Sequence, residues 1–124
     1  MSAAPRLPAG WPPEVPPPDA PGWQQRAGGW LFDQCPADLR AHEVLRRHPL
    51  LLAYVAIGQV DGARRGLAGS LASMRADLRD ILAPEALSEA LQALQLEQAR
   101  LEATAKSVAL VADALRGIRH RPRL

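Results

Sequence analysis

The chain has 124 residues, 23 of them alanine and 19 leucine against 5 aromatics, a balance that fits one small helical domain and leaves no run credible as a strand. A formal charge of +2 is too small to mark a nucleic-acid protein, and the 14 arginines against a single lysine read most simply as high-GC codon bias. One cysteine, Cys35, excludes an internal disulfide framework, and the lack of a signal-peptide pattern or a membrane-length apolar run predicts a soluble, cytoplasmic protein with no membrane partner.

Residues 1–22 contain eight of the twelve prolines, which forbids a sustained helix and predicts a disordered or polyproline-like leader. Pro5 to Pro8 and Pro13 to Pro16 each satisfy a P-x-x-P spacing, but no arginine is well placed beside them, so a bland tail is expected. Trp23, Trp30 and Phe32 follow, with Gly28 and Gly29 supplying a turn. Residues 23–35 thus read as an aromatic strap that lays rings onto a helical body. A short helix should begin near Pro36, carry Ala41, Val44, Leu45 and His48 on one face, and end at Pro49 or bend there into the next helix. A second helix should cover residues 50–82 and reach roughly 50 Å at 1.5 Å per residue. Pro84 opens a third, with Glu85 and Glu89 near its positive end, and Gly117 closes it. The helical domain then spans residues 36–118, and residues 119–124 are a basic tail.

In the second helix Leu50, Ile57, Leu71 and Leu78 share one heptad position and Ala53, Val60, Leu67, Met74 and Ile81 the other, with Arg64 as the interruption. In the third, Leu87, Leu94, Leu101, Val108 and Leu115 alternate with Leu91, Gln98, Ala105 and Ala112. A connection of two or three residues forces these helices antiparallel. The fold expected is all-α: a long antiparallel hairpin, one short preceding helix and a Pro-rich, Trp-containing N-terminal extension. Arg64 should find Glu97, Glu102 or Gln98 across the seam and set the register.

Gly58, Gly62, Gly66 and Gly69 fall opposite that seam, each costing about 0.8 to 1 kcal/mol against alanine inside a helix. Either a close-packed neighbour, the strap or a second copy, sits there, or the helix bends. Leu96, Ala103, Leu110 and Val111 form a second stripe on the third helix. A lone hairpin cannot bury both stripes, so another layer is required, most economically from a homodimer. Gly58, Gly62, Gly66, Gly69, Leu96 and Leu110 are the candidate interface. Arg46, Arg47, Arg116, Arg119, Arg121 and Arg123 gather at the open end as a candidate anion contact, or as a solvated terminus that complements the helix dipole. No catalytic, cofactor-binding or metal-ligating set emerges: His42 and His48 do not share a face, and Asp77, Asp80, Glu85 and Glu89 are interleaved with Arg75 and Arg79.

The stretches W-L-F-D-Q-C-P-A-D-L-R at residues 30–40 and V-L-R-R-H-P-L-L-L-A at residues 44–53 resemble small helical proteins of high-GC bacteria, a group that carries no assigned chemistry. The likeness covers residues 30–118; it implies a helical body with a tryptophan-led entry and transfers no catalytic residue. The expected function is a non-enzymatic interaction or accessory role for a dimer and an unidentified protein partner, without cofactors. The alternative is non-specific nucleic-acid binding through the arginine end.

Overall fold

The structure, a computed structural model, describes residues 7–118. Pro49 and Pro84, whose missing N–H groups cost nothing at a first turn, open the two long helices α3 (Pro49–Leu78) and α4 (Pro84–Leu115). They pack against each other as an antiparallel hairpin. The described residues are otherwise helices and turns, with no strand. Gly117 ends α4 in the left-handed region at φ 82°, and its N–H donates to Ala114 O while Ile118 N–H reaches back to Asp113 O at 2.8 Å. Those two bonds make a Schellman cap.

The single short helix expected after Pro36 is instead two pieces, a 3-10 turn (Ala37–Ala41) and α2 (Glu43–Arg47), separated by His42 in an extended conformation. The break has a packing reason. Leu39 and Leu45 both reach the core, and six residues of straight α-helix would place them about 120° apart.

The strap is a helix as well. Residues Trp23–Asp33 form α1, and Gly28 and Gly29 lie inside it rather than in a turn. Trp23, Ala27, Trp30 and Leu31, at helical spacing, direct one face inward. Burial of that face outweighs the roughly 2 kcal/mol of helix propensity that two glycines cost.

The leader is corrected more strongly. Residues 7–22 fold as consecutive turns, in which Trp11, Val15 and Ala20 N–H groups donate to Pro8, Pro12 and Pro17 carbonyls. The Trp11 indole donates to Val15 O at 2.8 Å, and its ring lies 6.4 Å from that of Trp23. Val15 is only 2% exposed. Ser107 Oγ ties the segment to α4 by donating to Gly10 O, where a Cβ would come within 3.1 Å of the Lys106 side chain. Residues 1–6 lie outside the described part.

These pieces make one core at the open end of the hairpin, where Val15, Trp23, Leu31, Leu52, Val108 and Val111 meet. The addition of α1 rotates the buried face of α3. Leu52, Ala53, Ala56 and Val60 are inside there, whereas Leu50 and Ile57, read from the heptad as core, are exposed. Beyond Val60 nothing covers the hairpin, and the heptad reasserts itself: Arg64, Leu67, Leu71, Met74 and Leu78 are half-buried against Leu87, Leu91, Leu94 and Leu101. Ile81 falls past the end of α3 and is 75% exposed. The molecule is a packed head with a bare two-helix arm, about 27 Å long for the 18 residues from Asp61 to Leu78.

Candidate functional site

At 100° per residue, the α3 positions 51, 55, 58, 62, 66, 69, 73 and 76 fall in one stripe opposite the seam. They are Leu51, Val55, the four glycines, Ser73 and Ala76. The stripe positions themselves carry no charge over the 26 residues from 51 to 76, and exposed Arg65 lies about 20° beyond the stripe's edge. Gly58, Gly62, Gly66 and Gly69 are all exposed, and nothing lies within 4 Å of the place a Cβ would take. Neither α1 nor the leader covers them. The helix also runs through the row without a local break. At the base of the stripe Leu51 and above all Tyr54, 70% exposed, widen it into an apolar patch.

The second stripe on α4 divides. Val111 is fully buried in the core that contains Val15 and Trp23, and Leu110 is half-buried, so the chain's own N-terminal segment supplies the layer that the sequence seemed to require from a dimer. Leu96, on the arm, stays 76% exposed.

Of the strap residues, Trp23 and Phe32 are buried and Trp30 partly so. The Arg40 guanidinium, bound to Asp33, lies 5.3 Å from the centre of the Phe32 ring. Two shallow grooves flank the end of α1. One, of about 380 Å³, lies between Trp11, Trp30 and Thr104; the other, of about 290 Å³, between Pro36, Val60 and Leu101. Arg100 borders both but is engaged by Glu97, with Nε–Oε2 at 2.9 Å. That bond holds the Glu97 carboxyl below the usual carboxylate range. Burial raises the Cys35 thiol, and Arg40 offsets the rise in part. These grooves bring no nucleophile beside a base.

Arg64 does not reach across the seam as expected. It pairs with Asp61 on its own helix at 3.7 Å, and Glu97, one of the three expected partners, belongs to Arg100. A half-exposed guanidinium can keep its charged end in water, so it needs no buried partner. At the open end Arg46, Arg47 and Arg116 are exposed and make no ion pair with described residues. Arg119, Arg121 and Arg123 lie outside the described residues. No group of three or more His, Cys, Asp and Glu among the described residues is placed to hold a metal. No described helix is long and apolar enough to cross a membrane.

Sequence reasoning placed the glycine row but missed the docked leader. Its signal was there: Trp11 and Val15 are large apolar residues spaced one turn apart within a proline run. No protein family, curated protein or solved structure matches the chain.

Proposed function

We propose that this is a non-enzymatic, cytoplasmic interaction protein that presents the outer face of α3 to a protein partner, with a second copy of the chain among the partners. The observation that carries this reading is the uncovered row of small residues from Gly58 to Ala76, with exposed Leu51 and Tyr54 at its base. Exposed aromatic residues beside a flat apolar strip are the usual anchors of a protein interface. The free thiol of Cys35 suits a reducing compartment.

Tagged chain recovered from its native cell should bring down a stoichiometric protein, and Tyr54→Glu should release it while the helical circular dichroism stays the same. Equal recovery by the variant would overturn the reading. A second reading, phosphate contact, draws on exposed Arg46, Arg47 and Arg116. It predicts salt-dependent anisotropy changes with labelled duplex DNA that weaken in an Arg46→Ala, Arg47→Ala variant. A flat titration at low salt would remove it.

A further inference from the structure

We infer that the outer face of α3 is a second heptad seam, made for an antiparallel pairing with α3 of another copy of this chain. The inference rests on the proposed use of this face as an interface. It adds the partner and its direction.

Three observations carry it. The stripe positions 51, 55, 58, 62, 66, 69, 73 and 76 follow one another at steps of 4, 3, 4, 4, 3, 4 and 3. Steps of that kind keep two helices in contact along their length at a shallow crossing angle, whereas a pure four-residue row favours a steep crossing with contact only at the centre. The residues at these steps are small in the middle and larger at one end, so the two backbones can come close.

The glycines are also centred. α3 covers Pro49–Leu78, and Gly62 and Gly66 stand on either side of its midpoint. A twofold axis there places Leu51 of one copy opposite Ala76 of the other, which matches the large end of each stripe with the small end of its partner, while Val55 is partly buried against its own core.

Charge selects the direction. Among the described residues, 36–50 and 113–118 at the open end carry one net positive charge, with Arg46, Arg47 and Arg116 exposed, while residues 75–89 around the arm tip carry two net negative ones. An antiparallel pair sets Arg46 and Arg47 of each copy beside Asp77 and Asp80 of the other; a parallel pair would stack like charge at both ends. Of these groups, Arg46, Arg47, Asp77 and Asp80 make no ion pair among the described residues.

Sedimentation equilibrium of the full chain should return twice the 13.4 kDa chain mass at micromolar concentration. Gly62→Leu should return the monomer mass, and because a side chain there meets nothing within 4 Å, its helicity should be retained or rise. In a Cys35→Ser background, Leu51→Cys and Ala76→Cys chains should each resist oxidation to a dimer alone and form a disulfide when mixed. A monomeric wild-type chain, a Gly62→Leu dimer, or self-linkage of Leu51→Cys would each overturn the inference. If the chain is monomeric yet still loses a captured protein on Tyr54→Glu, the face is an interface and only its partner was wrongly assigned here.

Discussion

Cys35 shows how the environment of one residue alters its chemistry. As a sulfur in a 124-residue sequence it reads as a free thiol; in the structure partial burial favours its neutral form, with Arg40 pulling more weakly the other way. Since its folded pKa lies above the unfolded value, the stability it contributes is full below the unfolded thiol pKa and is lost as pH rises through the folded one. Alkylation by iodoacetamide near neutral pH should therefore run slower than for cysteine in a short peptide, and Arg40→Ala should slow it further. A native rate equal to that of the peptide would show that the thiol is not shielded. Arg64 gives the opposite lesson. Its position on the heptad was legible, but its partner was not, because i,i+3 Asp61 on the same helix is reached without fixing a side chain across the seam.

Among the elements, the long helices were the most legible and the leader the least. Prolines at residues 49 and 84 and the glycine at residue 117 are local signals, and α3 and α4 begin and end close to them. α1 contradicts its local signal, since paired glycines favour a turn until Trp23, Ala27 and Leu31 are buried together. The leader contradicts a compositional one: a proline run cannot form a helix, but it can form turns that seat Val15 in the core. Val15→Ala should consequently cost about 2 kcal/mol in chemical denaturation, from two lost methyl groups and the cavity left behind. Deleting residues 1–22 should move tryptophan emission to the red, because Trp23 loses both Trp11 and Val15 as cover. A truncated chain of unchanged stability and emission would restore the disordered leader.

At the scale of the whole molecule, burial along α3 falls from head to arm, although Leu87 of α4 stays buried near the arm tip. Leu52 is fully buried where three helices and the leader meet, while Leu71 is half-buried where two helices stand alone. Leu52→Ala should thus destabilise by about 3 to 5 kcal/mol and Leu71→Ala by about 1 to 2, measured by urea denaturation of the monomer. Equal losses would mean that the arm is covered as well as the head is. Amide exchange should follow the same gradient, fastest around residues 78–84.

The sequence by itself determined the all-α class, the antiparallel hairpin, the arm's half of the heptad seam and the glycine stripe opposite it. Each depends on periodicity or on a proline or glycine acting within a turn or two, and such local causes survive any tertiary context. Only the tertiary structure decided that the layer over the open end is the chain's own N-terminal segment, that Leu50 and Ile57 face out, and that Val15 faces in. Those outcomes turn on which apolar surfaces meet across long stretches of chain. Heptad spacing marks a face as apolar but does not name its cover, and α1 reaches α3 first because it is tethered to it by the short link through α2.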